Sequence, residues 1–196
     1  VVVPASALMH DGKAVQIHDY IWSDDNAKML VYTNSRRVWR DNTRGDYWVL
    51  DLKSGDFHQL GKGLDPSRMM FAKFSPAADK VAYVYYNNIY VEDLATEERT
   101  QLTFDGSDEI INGNFDWVYE EEFTMNKCYE FSADSKMIAY VKSVESHVPS
   151  FSFVMYRGMA PSYEDNALYP GAYTYKYPLP GVDNSKVSVH TFDIKS

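Results

Sequence analysis

A phrase made of an aromatic residue, a tight polar turn and an apolar run occurs three times in this chain of 196 residues. It reads Trp22-Ser23-Asp24-Asp25-Asn26-Ala27-Lys28-Met29-Leu30-Val31-Tyr32, then Phe74-Ser75-Pro76-Ala77-Ala78-Asp79-Lys80-Val81-Ala82-Tyr83-Val84, then Phe131-Ser132-Ala133-Asp134-Ser135-Lys136-Met137-Ile138-Ala139-Tyr140-Val141. A second phrase alternates with it. Its copies are Tyr47-Trp48-Val49-Leu50-Asp51-Leu52 with Gln59-Leu60, Ile89-Tyr90-Val91-Glu92-Asp93-Leu94 with Gln101-Leu102-Thr103, and Val187-Ser188-Val189-His190-Thr191-Phe192-Asp193-Ile194. The first phrase supplies two strands joined by a turn, and the second supplies two more. Four short antiparallel strands per unit, repeated every ~40–50 residues, is the signature of propeller blades. The expectation is an all-β fold, a partial β-propeller of four-stranded antiparallel blades. About three blades fall in this chain, near 15–61, 68–103 and 128–196, the last lacking its fourth strand. An antiparallel sandwich also yields many short strands, but not this double repeat. A propeller closes only with about four blades or more, so the chain is expected to be part of a longer one.

Composition narrows the partners. Lys plus Arg number 19 against 28 Asp plus Glu, a formal net charge of −9. Like charges repel along the approach, which argues against nucleic acid or an anionic membrane surface and favours a cationic ligand. Aromatic residues are 15% of the chain, including 16 Tyr, a richness that suits strands. The single cysteine, Cys128, excludes a disulfide within the segment, and it is expected to be a buried strand residue. The five His are scattered, and no metal site, cofactor motif or phosphate loop is legible. The apolar opening Val1–Met9 is too short to cross a bilayer and lacks the charged flank of a signal peptide.

Strands of a blade alternate in direction, so its 2–3 loop and the connection to the next blade lie on one face. The long segments of this chain are of these two kinds: 34–46, 104–127 and 143–186. They are therefore expected on one face, and loops on a rigid scaffold are where binding residues gather. The first is basic, with Arg36, Arg37, Arg40 and Arg44 around Trp39. The second carries Asp116-Trp117-Val118-Tyr119-Glu120-Glu121-Glu122-Phe123. The third is rich in Tyr and Pro and reads as an extended arm. Asp116 suits a helix N-cap, and glutamates in a first turn suit the helix dipole. Three adjacent carboxylates anchored among large apolar side chains repel one another, which a cation held between them relieves. A peptide's terminal ammonium has three donors and matches two convergent carboxylates.

The stretch Asp116-Trp117-Val118-Tyr119-Glu120-Glu121-Glu122 strongly resembles the glutamate motif of the dipeptidyl peptidase IV family. The likeness extends to Val38-Trp39-Arg40, Val81-Ala82-Tyr83-Val84, Asn88-Ile89-Tyr90-Val91 and Tyr175-Lys176-Tyr177-Pro178, with Gly181 and Asn184 beyond. The resemblance implies an eight-bladed propeller capping an α/β-hydrolase domain, with substrate held between them. It implies that Glu121 and Glu122 bind the free ammonium of a peptide and fix the cut two residues from its end, after Pro or Ala. The resemblance further implies that Arg40 contacts the first residue's carbonyl and helps orient the glutamates; Glu120 is expected to support the turn, and Arg36, Arg37 and Arg44 to be surface charge. The resemblance also implies an extracytoplasmic location and a homodimer. Thr124-Met125-Asn126-Lys127 is one residue shorter than in the animal enzymes, and Met155-Tyr156-Arg157-Gly158-Met159-Ala160 has a bacterial look.

No Gly-x-Ser-x-Gly elbow occurs, so no catalytic residue is assigned here and the segment alone is expected to be inactive. The triad is expected from the chain's own C-terminal hydrolase domain. Two other readings exist: a non-catalytic protein-binding propeller whose carboxylates meet a basic partner, and a calcium site, though the spacing matches no calcium loop.

Overall fold

Each copy of the first phrase folds into the same turn. Asn26, Ala78 and Ser135 take up left-handed backbone at φ 56°, 53° and 62°. Three residues earlier, the Ser23, Ser75 and Ser132 hydroxyls donate to Asp25, Asp79 and Asp134. The same hydroxyls accept from the Lys28, Lys80 and Met137 amides at 2.9, 3.1 and 2.9 Å. The serine thus serves the turn at both ends, and the residue after the turn starts an apolar strand.

A computed structural model describes residues 3–156 and 169–194 of the chain. An N-terminal hairpin, β1 (Met9–His10) and β2 (Lys13–Ala14), precedes the blades. Blade one is β3 (Asp19–Trp22), β4 (Lys28–Arg36), β5 (Arg44–Asp51) and β6 (Phe57–Gln59), each antiparallel to the next. Blade two is β7 (Met69–Phe74), β8 (Lys80–Tyr85), β9 (Asn88–Asp93) and β10 (Arg99–Gln101), paired in the same way. Two rungs, Arg44 opposite Met70 and Gly45 opposite Met69, join the two blades.

Blade three differs from the expectation that it begins near 128. Its innermost strand is in two pieces, β11 (Ile110–Asn112) and β12 (Tyr129–Phe131), because a helical excursion, α1 (Trp117–Phe123), interrupts it. Both pieces pair with β13 (Met137–Val144), Asn112 opposite Lys142 and Tyr129 opposite Tyr140. Val141 closes the seam, accepting from the Gly113 amide at 3.1 Å and donating to the Cys128 carbonyl at 2.9 Å. The expected arm is a two-stranded ribbon, β14 (Ser150–Met155) with β15 (Gly171–Lys176), and β16 (Lys186–Asp193) then returns to pair with β13. Residues 157–168, 195 and 196 of this blade, including 157–160 of the Met155–Ala160 segment, lie outside the described residues.

Strand alternation sends neighbouring residues to opposite faces, and each face is buried against a different layer. Leu30, Tyr47 and Val49 pack on Met69, Phe74, Val81 and Tyr83 of blade two. Met29, Val31, Trp48 and Leu50 pack on Leu8 of the N-terminal segment. The other face of blade two, with Ala82, Val84, Ile89 and Val91, packs on Tyr129, Phe131 and Ile138 of blade three. The Tyr129 hydroxyl, fully enclosed, reaches the carbonyls of Phe71 and Ala82 in blade two. Glu92 is a buried carboxylate (4% exposed) satisfied by the Gly61 amide at 3.0 Å and the Tyr83 hydroxyl at 3.1 Å.

Candidate functional site

The excursion from blade three's inner strand is a short stem carrying the glutamate helix at its tip. Gly113 opens it at φ 81°, and a Cβ there would stand 2.8 Å from Ile89 Cγ1, so the position requires glycine on both counts. Cys128 donates to the Gly113 carbonyl at 3.1 Å, and Phe115 donates to the Asn126 carbonyl at 3.0 Å, with Asn114 bridged to Lys127 between them. Asp116 caps the helix as expected, accepting from the Tyr119 amide at 3.1 Å while its other oxygen accepts from the Ser185 hydroxyl. Thr124, at φ 57°, ends the helix with left-handed backbone.

Aromatic contacts lock the three long segments together. Trp39 of the basic loop lies 4.8 Å from Tyr175 of the arm, and Trp117 of the helix lies 4.4 Å from Tyr177. This places Arg40 beside the helix, where its Nε pairs with Glu121 Oε2. The Glu121 side chain is only 7% exposed and that of Arg40 is 79% exposed, so the carboxylate is fixed while most of the guanidinium faces solvent. Glu122, next along the helix, is exposed and has no hydrogen bond or ion pair among the described residues. The structure thus joins Arg40 to Glu121 and leaves the Glu122 carboxylate open at the same tip.

Two other residues stand differently from their sequence reading. Glu120 faces a cleft of about 860 Å³ between the basic loop, the helix and the arm, and its Oε1 is buried without a partner among the described residues. Burial pushes its carboxyl up to about 7, with Glu121 and Asp41 adding and Arg44 opposing. Arg44 is not surface charge: it is half-buried on the same cleft. Burial, then the Arg68 charge, lowers its pKa. Arg36 and Arg37 are exposed. Sequence reasoning passed over Glu145, which follows β13 and is 7% exposed; burial, with Asp116 adding, pushes its carboxyl up to about 7. Nothing local in Val144-Glu145-Ser146 marks it, because its burial comes from the arm folding back. Cys128 is buried, and that burial pushes its thiol up to about 12, as suits a packed strand residue.

Residues 23–196 match the family model described as the dipeptidyl peptidase IV N-terminal region. A protein named "Probable dipeptidyl-aminopeptidase B" from Neosartorya fischeri is 35% identical over 94% of this chain, and its namesake from Pyrenophora teres f. teres is 36% identical over 94%. The chain covers 20% and 21% of those two proteins, about a fifth of the length of the curated relatives it matches. The crystal structure of Porphyromonas gingivalis dipeptidyl peptidase 4 superposes with a TM-score of 0.81 at 35% identity, covering 91% of this chain and 24% of that one. The blades, the split inner strand and the match along nearly all of the sequence lead to one conclusion: the chain belongs to the family of dipeptidyl peptidase IV N-terminal regions.

Proposed function

We propose that this segment is the substrate-recognition part of a dipeptidyl peptidase IV-like serine exopeptidase that removes Xaa-Pro or Xaa-Ala dipeptides from free amino termini. The observation that carries the reading is the Arg40–Glu121 ion pair beside the open Glu122 carboxylate at the tip of one helix. Two acidic acceptors suit the three donors of an ammonium. Only Nε of Arg40 is engaged by Glu121, which leaves its other donors for the carbonyl of the first substrate residue. An amino terminus held there sets the distance to the reacting bond, which is how an exopeptidase counts residues. Ser, Asp and His come, on this reading, from a hydrolase domain outside this segment, and the segment alone has no peptidase activity.

The test uses the full-length enzyme with an Xaa-Pro chromogenic substrate and its N-acetylated twin. The free amine alone should be cleaved. Glu121→Gln and Glu122→Gln should each lower kcat/KM by roughly ten- to a hundredfold, the equivalent of one charge-assisted hydrogen bond of ~1.5–3 kcal/mol. Glu120→Gln should cost far less. Equal cleavage of the acetylated twin rejects the ammonium clamp, and equal losses at all three positions reject the residue assignment.

A further inference from the structure

Of the three helix glutamates, Glu120 is the one the ammonium clamp does not use. Glu121 is engaged by Arg40 and Glu122 is open at the tip. Glu120 is half-buried and turned into the cleft, its Oε1 enclosed and without a hydrogen-bond partner among the described residues. A buried polar oxygen without a partner is costly, and in a carboxyl that cost falls when the group keeps its proton. Charges face Glu120 from every element around it. Its own helix supplies Glu121 and the capping Asp116, the basic loop Arg37 and Asp41, and β5 the half-buried Arg44. Across the cleft stand Asp108, Glu109 and Glu145, with Lys176 of the arm already paired to Glu109 at 2.8 Å. Acids outnumber bases in this set, and Arg44 is the cation that acts on Glu120. Burial first, then Glu121 and Asp41, pushes the Glu120 carboxyl up to about 7 against the pull of Arg44. It therefore changes charge around neutral pH, beside the carboxylate that Arg40 holds.

We propose that Glu120 tunes the ammonium clamp from behind: neutral, it leaves Glu121 and Glu122 alone to hold an amino terminus, and ionised, it adds a third negative charge that strengthens the hold. The proposal rests on the clamp reading above and gives that site a control by pH. Glu120 does not touch the ligand; it acts through the field at Glu121, with which it already interacts. Ionised Glu120 does not draw Arg40 off Glu121, because its carboxyl faces a cleft that Arg40 does not line. Arg44, on β5 of blade one, sets how readily the charge appears on a helix that leaves blade three. The sign follows: the hold is weaker below the carboxyl's pKa and stronger above it. By reciprocity, an ammonium held at Glu121 and Glu122 favours ionised Glu120, and the proton released passes to solvent.

The test compares full-length wild type with Glu120→Gln on alanyl-proline p-nitroanilide from pH 6 to 8.5. Gln keeps the shape of the neutral acid and never ionises, while the substrate's amine and the groups of the hydrolase domain titrate alike in both proteins. The ratio of KM values, Glu120→Gln over wild type, should climb about three- to fivefold across this range, the size of one partly screened charge, with the ratio of kcat values constant. Repeating the comparison in an Arg44→Met background removes the opposing cation and should move the climb to higher pH, with circular dichroism checking the fold. If that background does not fold, the first comparison decides alone. A flat KM ratio while the N-acetylated twin goes uncut overturns the tuning and leaves the clamp standing. A loss that is equal at every pH, or confined to kcat, makes Glu120 a structural residue of the turn and overturns the proposal as well. Equal cleavage of the N-acetylated twin overturns the clamp and this proposal together.

Discussion

At Glu145, burial raises the carboxyl's pKa from its ordinary value near 4.5 to about 7 in the folded protein. The folded state therefore holds a proton that the unfolded chain has lost between those values, and stability falls as pH rises through that window. Below about 4.5 both states are protonated and the penalty vanishes; above about 7 it is complete. Glu145→Gln should flatten this pH dependence and raise stability at pH 8 by about 1–3 kcal/mol, read by urea denaturation at pH 4.5 and 8. An unchanged slope would mean the carboxyl is ionised and solvated in the folded state. Cys128 offers a second check at this scale. With its thiol buried and pushed up to about 12, it should resist a thiol reagent at pH 8 in native protein and react fully in denaturant. The glutamate triplet and Arg40 were legible as single residues because their order along the chain is itself the motif. Arg44 and Glu145 were not: their burial is created by segments distant in sequence, and a charged residue in a polar stretch carries no local mark of enclosure.

The element that carries the proposed recognition site is the stem and helix, and its sequence signals are of unequal visibility. Asp116 followed by Trp117, Tyr119 and the glutamates predicts a capped helix, and the structure has one. That the helix interrupts a strand was hidden, because Ile110-Ile111-Asn112 and Tyr129-Glu130-Phe131 are too short to be recognised as two parts of one strand. Only their shared pairing with β13 reveals it. The stem's weak points follow from its geometry. Gly113→Ala combines a positive φ with a Cβ only 2.8 Å from Ile89, and should cost about 1–3 kcal/mol in denaturant unfolding. Asp116→Ala removes the cap and the Ser185 contact, and should cost about 1–2 kcal/mol. If the helix positions Glu121 for the proposed ammonium clamp, both changes should also raise KM for a free-amine substrate of the full-length protein. Unchanged KM in both would show that the helix is held by its aromatic contacts to Tyr175 and Tyr177 instead.

Across the whole molecule, the repeated phrases were the most legible level, since one serine-centred turn and one alternating strand pattern recur with little change. What they did not reveal is how blades are tied to each other. Tyr129, in blade three, reaches two carbonyls of blade two, and Tyr129→Phe keeps the ring while removing that tie. The loss should be about 1–2 kcal/mol in unfolding free energy. A larger loss, with broadened transitions, would indicate that the blades come apart singly. The split strand has one more consequence, for how such a protein changes over generations. The stem leaves and rejoins the blade beside a single residue, Val141, which hydrogen-bonds to both of its ends. Residues 114–127 can therefore be lengthened, shortened or exchanged without moving a rung of the underlying sheet. A lineage can revise this loop while inheriting its scaffold unaltered, and the same junction is a natural place to graft a foreign binding loop.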